Sequence, residues 1–541
     1  MTRRQPTGAH ALLAQVLDPG SWISWDTPPH LPAGVDEPYA GQLRRAAARS
    51  GTDEAVVTGE GLVHGRRVAV IACEFAFLGG SFGAAASARL VAAVERATAA
   101  RLPLLASPAS GGTRMQEGTA AFVQMVRITA VVAAHRAAGL AYLVYLRGPT
   151  AGGALASWGS LGQITAAEPG ALIGFLGPRA HEALCEEPLP PDVQRAENLH
   201  AHGLVDAVLE PAALRDTTAR VLALLAAPRP GPDTPARPDP EPLPAPEAPP
   251  DLTALRRTPA SESLRRSRRP ERPGVRALLR HGAHEVVRLH GTGEGETDAR
   301  VLLALARFGD TPCVVLGQDR DRQDSCGPFG PAALRVARRG MRLAAELRLP
   351  LVSVVDTAGA ALSREAEEGG LAGAIARCLT ELVTLRTPTL SLLLGQGAGG
   401  GALALLPADR VLCAQYAWLA PLPPEGASAI VHRSAAHAPA MAEALGVRAV
   451  DLLDTGVVDR IVAERPDAAE EAEDFCRRAG RAVADELRGL SGRPPDARRT
   501  ARVDRTPGGE RTFDDRRPGT IRQEHRRPMA GDAHDSLSNR P

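Results

Sequence analysis

The chain repeats itself. RLPL stands at residues 101–104 and again at 348–351, 247 positions later. GGALA stands at 152–156 and at 400–404, 248 positions later, and GLVD at 203–206 is answered by GVVD at 456–459, 253 positions later. Three matches in one order at nearly one spacing mean a single fold present twice. The 541 residues leave room for two such copies with segments to spare. Residues 227–275, which include APRPGPDTPARPDPEPLPAPEAPP, are dominated by proline and charge and cannot bury enough apolar surface to order themselves. The same holds from about residue 490 onward. The expected division is an N-terminal extension (1–34), a first domain (35–226), a disordered linker (227–275), a second domain (276–489) and a disordered tail (490–541).

Within each copy a β-rich run precedes an alanine-rich helical stretch: VAVIACEFAF then SARLVAAVERATAA, and PLVSVVDTAG then GGLAGAIARCLTELVTL. Strands alternating with helices predict an α/β fold with helices packed on sheets. Aromatic content of 3% means cores built from Ala, Leu and Val. The chain contains no lysine, so it forms no pyridoxal Schiff base, has no Walker lysine, and carries neither biotin nor lipoate on its own side chain. Any such carrier is another polypeptide. A net charge of +1 gives no pull toward nucleic acid or membrane. The seven cysteines are scattered without a C-x-x-C pair and read as reduced and packed, and no metal-ligand spacing is present. No secretory leader and no membrane-length apolar run is apparent, which predicts a soluble cytoplasmic protein.

The stretch GQGAGGG at 395–401 packs five glycines into seven positions. It is not a P-loop, because Ala402 and Leu403 follow Gly401 where Lys and Ser or Thr are needed. In each copy a strand gives way to a helix through a glycine pair, Gly152-Gly153 and Gly400-Gly401. Bare N–H groups at such a helix start suit an oxyanion. A second glycine site precedes each pair: Ser110, Gly111, Gly112 and Arg114 after the first RLPL strand, Asp356 and Gly359 after the second. Both follow the carboxyl end of a strand, where α/β folds place ligands. Glu117, Glu365 and Glu368 read as solvated or capping residues, and His135, His181 and His437 as packing or surface residues. Backbone donors without a proton-transfer side chain suit a reaction whose base arrives with the substrate, such as enolate formation at a thioester.

Several motifs together carry a family resemblance. DEAVVTGEGLVHGRRVAV, FLGGSFG, SGGTRMQEG, RGPTAGGALASWG, AAEPGALIGFLGPR and LPPDVQRAENLHAHGLVD resemble the β subunit of bacterial acetyl-CoA carboxylase carboxyltransferase. MRLAAELRLPLVSVVDTAGA, EAEEGGLAGAIARCLTEL, GQGAGGGALAL, PPEGASAIVHRSA and LGVRAVDLLDTGVVDRIV resemble its α subunit. The two cover most of residues 35–465, as a fused β–α chain.

The resemblance implies two tandem crotonase-like domains of ββα-superhelix type. It implies transfer of a carboxyl group from carboxybiotin, held on a separate carrier protein, to acetyl-CoA or a short acyl-CoA. The expected partners are the biotin carboxyl carrier protein, biotin carboxylase and further copies of the chain, with the site between an N-type and a C-type domain. Gly152 and Gly153 would hold the thioester enolate, and Gly400 and Gly401 the biotin ureido oxygen. Gly79, Gly80, Gly111, Gly112, Arg114, Arg179, Arg195 and Gly359 would contact substrate, the arginines standing in for absent lysines at coenzyme A phosphates. Two departures stand out: no zinc ribbon precedes the first domain, and the α-subunit pattern D-T-P-G-A-Y is here DTAGAA, with Ala358 and Ala361, which bears on the biotin-side pocket. Rival readings are a malonyl- or methylmalonyl-thioester decarboxylase on the same fold and a catalytically silent scaffold that binds acyl-CoA or the carrier.

Overall fold

The computed structural model describes residues 7–30, 36–178, 181–182, 188–225, 249–490, 492–495, 497–498 and 502. The N half supplies β1 (Ile23–Ser24), β2 (Val56–Val63), β3 (Arg66–Cys73), β4 (Leu104–Ser107), β5 (Tyr142–Leu146), β6 (Thr150–Ala151), β7 (Ile164–Ala167), β8 (Ile173–Gly174) and β9 (Ala207–Val208). The C half supplies β10 (His284–Leu289), β11 (Val301–Phe308), β12 (Thr311–Gln318), β13 (Leu351–Thr357), β14 (Thr389–Ala398), β15 (Arg410–Ala414), β16 (Trp418–Ala420) and β17 (Arg460–Val462).

The first sheet runs β1-β2-β3-β4-β5-β7-β9 and the second β10-β11-β12-β13-β14-β15-β17. In each, the first three strands pair antiparallel and the rest parallel. The small β6–β8 pair of the N half is matched by β16 against the end of β14. The duplication inferred from three short matches is therefore a duplication of whole sheet topology.

Period-two alternation shows how the halves join. Along β3, Ala69, Ile71 and Cys73 face a core shared with helices Ala84–Ala99 and Gly118–Ala137. Val68, Val70 and Ala72 face the opposite way, into a core continuous with Leu303, Leu305 and Val315 of the second sheet. Arg339 closes this junction. Its guanidinium donates to both carboxylate oxygens of Asp206 at 2.9 and 2.8 Å and to the carbonyls of His290 and Gly291 at 2.8 and 3.0 Å. Both side chains are largely buried, so Arg339→Ala strands a carboxylate and should cost about 3 kcal/mol or more. Hydrogen exchange is expected to quicken first at residues 206 and 290–291.

Three expectations about segment ends are corrected. The N-terminal extension is part of the first half: helix Ala9–Val16 buries Leu12, Leu13 and Val16, and β1 joins the sheet. Residues 251–275 of the expected linker are folded, with helices Leu252–Arg257 and Ala260–Ser267. Their arginines bind across the C half: Arg272 pairs with Glu464 at 2.7 Å, both buried, and Arg268 with Glu425. Charge density there marks ion pairing, not solvation. Arg498 and Arg502 of the expected tail are likewise buried, Arg502 pairing with Asp409 at 2.7 Å. Residues 226–248 and 503–541 lie outside the described residues.

The segment Met115–Ala137 is long and apolar enough by composition to cross a membrane, which corrects the expectation of no such run. Ala121, Met125, Ile128, Val132 and His135 form one buried stripe at helical spacing, packed on the protein. Its other face exposes Phe122, Val123 and Val126.

Candidate functional site

The offset of 247 that joins the two RLPL runs carries through both glycine sites. The isolated bridge between Phe82 and Thr113 has its counterpart between Phe329 and Ala360, each residue 247 further on. Ser110 Oγ accepts the Gly112 N–H at 3.0 Å, and Thr357 Oγ1 accepts the Gly359 N–H at 3.0 Å. Gly112 and Gly359 both have positive φ, 110° and 131°. The replacements at Ala358 and Ala361 thus leave the turn itself intact.

At the helix starts the same register matches Gly152 (φ 62°) with Gly399 (φ 64°), each following a strand residue, Ala151 or Ala398, that bridges the small outer strand. The GGALA match at 248 is therefore one residue out of register. This corrects the donor assignment in the first half. Gly152 N–H donates to the Phe175 carbonyl at 2.9 Å and is occupied. Gly153 and Ala154, the next two positions of helix Gly152–Leu155, have N–H groups with no partner among the described residues. In the second half their counterparts are Gly400 and Gly401 of helix Gly399–Leu403, whose N–H groups are likewise unpartnered. First-turn amides have no intrahelical acceptor, so each half presents two adjacent donors.

The surroundings differ. A Cβ on Gly153 would meet Met125 at 3.3 Å and Thr113 Oγ1 at 3.4 Å; one on Gly401 would meet the Phe329 ring at 2.6 Å and the Ala360 nitrogen at 3.2 Å. Gly80 and Gly111 support the first site: a Cβ on Gly80 would lie 2.0 Å from the Ala109 carbonyl, and Gly111 N–H donates to the Gly79 carbonyl at 2.9 Å. Gly79, Gly80, Gly111, Gly112, Gly152 and Gly153 thus converge in the first half, and Gly359, Gly400 and Gly401 in the second.

Arg114 is corrected from substrate contact to structural residue. It is fully buried and binds both Glu54 oxygens, the Ser81 carbonyl at 2.8 Å and, more distantly, Glu117. Burial works against its charge, but the Glu54 carboxylate more than offsets that and holds the guanidinium above the ordinary arginine range. Glu117 accepts from the Ala84 N–H at 2.6 Å and from the Tyr39 hydroxyl at 2.5 Å, a capping role. Burial first, and that bond second, push Tyr39 up to about 12. Arg195 is exposed and donates to the Gly170 carbonyl at 2.9 Å. Arg179 lies outside the described residues.

Behind the second pair lies a buried polar group that the motifs did not single out. Gln318 is fully buried between Asp356 and Gly401. Burial raises the Asp356 carboxyl above its usual range, countered by Arg320 at 3.4 Å and the Gln396 N–H at 2.9 Å. The register of 247 would also have found Met115 and Leu362, equivalent positions just past the two turns and 84% and 94% exposed. A cleft of about 600 Å³ between the halves runs beside Leu155 and Phe175, rimmed by Arg136, Arg342 and Glu346.

The chain is similar to known proteins over most of its length. The sequence matches the carboxyl transferase domain family over residues 33–487. It is 59% identical over 490 residues to the probable biotin-dependent acyl-coenzyme A carboxylase beta3 subunit of Mycobacterium tuberculosis, covering 91% of this chain and 96% of that one. It is 40% identical over 473 residues to the acetyl-coenzyme A carboxylase carboxyl transferase subunits beta/alpha of Salinispora arenicola, covering 85% and 83%. In fold it is similar to transcarboxylase 12S, a hexamer solved with hydrolysed methylmalonyl-coenzyme A bound, with a TM-score of 0.70 at 20% identity over 90% of this chain and 89% of that one. Both halves are crotonase-like, the doubled architecture of carboxyltransferases. The chain belongs to the carboxyl transferase family, that of the biotin-dependent acyl-CoA carboxyltransferases.

Proposed function

We propose that this protein is the carboxyltransferase subunit of a biotin-dependent acyl-CoA carboxylase, acting on acetyl-CoA or another short acyl-CoA. The observation that carries the proposal is the pair of unpartnered N–H groups at the same point of each half. Donors of this kind fit oxygens on which negative charge develops, and two such oxygens take part in carboxyl transfer. Gly153 and Ala154 hold the thioester oxygen as the α-proton leaves. Gly400 and Gly401 hold the ureido oxygen of biotin on its carrier protein. Carboxybiotin supplies the carboxyl group and, once that is released, the base, which accords with the neighbours of the donor glycines among the described residues, Met125, Thr113, Ile375 and Phe329, none of them an acid–base side chain.

The two pairs lie in different halves, and the atoms crowding Gly153 and Gly401 come from different residues. We propose that assembly sets the N-half pair of one chain opposite the C-half pair of another. Exposed Met115, Phe122 and Val126 beside the first site, and Leu362, Ile430 and Val431 in the second half, are the apolar surface such a contact would cover.

The test is reconstitution with a biotinylated carrier and biotin carboxylase, following carboxylated product from acetyl-, propionyl- and butyryl-CoA. Carrier-dependent product on at least one of them is expected. CO₂ release from malonyl- or methylmalonyl-CoA without any carrier, and no carboxylation, would instead establish a decarboxylase. Neither reaction, with binding retained, would establish a scaffold.

A further inference from the structure

Three consecutive glycines, Gly399 to Gly401, do not fix the direction of their own N–H groups, because no Cβ restricts their backbone. Something outside the triplet has to. Two ties are present. On the strand side, Gln396 N–H donates to Asp356 Oδ1 at 2.9 Å. On the helix side, Gln318, at the end of β12, donates from Nε2 to the Gly401 carbonyl at 2.8 Å and accepts the Asp356 N–H at Oε1 at 3.0 Å. Only one orientation of the amide satisfies both neighbours, since one is a carbonyl and the other an N–H. The first half is built otherwise: Ala72 pairs with Ser107 as Gly317 pairs with Val354, so Cys73 holds the sheet position of Gln318, and Ser157 donates to the Gly153 carbonyl at 2.5 Å from within the same chain turn.

We propose that Gln318 is a positioning residue of the C-half site, aligning the Gly400 and Gly401 donors on the ureido oxygen. The proposal rests on the carboxyl-transfer reading. It concerns the second half alone, so its effect falls on turnover and not on acyl-CoA affinity.

The experiment uses the full chain with carrier and carboxylase, and two variants. In Gln318→Glu, a carboxylate cannot donate to the Gly401 carbonyl, whereas the protonated acid can donate there and still accept from Asp356. Its kcat should fall about tenfold to a hundredfold at the high end of the pH range and recover on acidification, with the KM for acyl-CoA unchanged. Gln318→Met should show a similar fall without the pH dependence. If the Met variant fails to fold, the reversible pH response of the Glu variant within one sample carries the test. Wild-type kcat in both variants, alongside an inactive Gly401→Val, overturns the positioning role and leaves the reaction standing. Wild-type turnover by Gly401→Val itself overturns the reading of the site and this proposal with it.

Discussion

Gly401→Val should reduce carboxyl transfer by about 10²–10³-fold while acyl-CoA still binds. A Cβ at residue 401 would lie 2.6 Å from the Phe329 ring and 3.2 Å from the Ala360 nitrogen. Phe329 is fully buried and its strand-like bridge to Ala360 holds the neighbouring turn, so the ring has nowhere to go. The helix start must move instead, taking both donors with it. Gly153→Val meets softer neighbours, the Met125 side chain at 3.3 Å, and should cost less. Steady-state kinetics on both variants, with acyl-CoA binding measured by calorimetry, checks the expectation. A Gly153→Val enzyme more impaired than Gly401→Val would refute the steric ordering.

Arg114→Met should destabilise the fold by about 3–5 kcal/mol. The side chain is fully buried, and its loss leaves Glu54, 1% exposed, as an unpaired carboxylate. Replacing both partners removes that charge, so Arg114→Met with Glu54→Gln should recover most of the loss. The urea midpoints of the single and double variants measure the difference. The KM for acyl-CoA in the double variant should match that of the wild type, since Arg114 reaches no open surface. A raised KM with unchanged stability would return Arg114 to the substrate.

The duplication was legible because short apolar and glycine motifs recur, and it follows that the two halves share one sheet order, though not which order that is. The register at the donors was not. GGALA is a five-letter match, and an alanine-rich helix start offers several equivalent alignments; φ at Gly152 and Gly399 and the paired turns at Gly112 and Gly359 decide among them. Ala154 was missed because its side chain does nothing and its N–H does the work, a fact no residue type announces. Gln318 sits in LGQDR, an unremarked strand end, and acquires meaning only from what β13 and the glycine helix bring beside it. Arg114 lay inside a glycine-rich motif and so read as a ligand, yet its partner Glu54 is 60 residues away in sequence. Arginine-rich stretches read as solvated because composition cannot show that Glu464, Glu425 and Asp409 await them.

Arg502 also matters to anyone choosing where to cut this chain. Its guanidinium reaches Asp409 and the carbonyls of Leu382, Leu385 and Thr387, capping the end of a helix and the approach to β14, the strand that runs into the glycine triplet. A shortened version stopping at residue 490 looks harmless on paper, yet it would uncover a buried acid behind the second half.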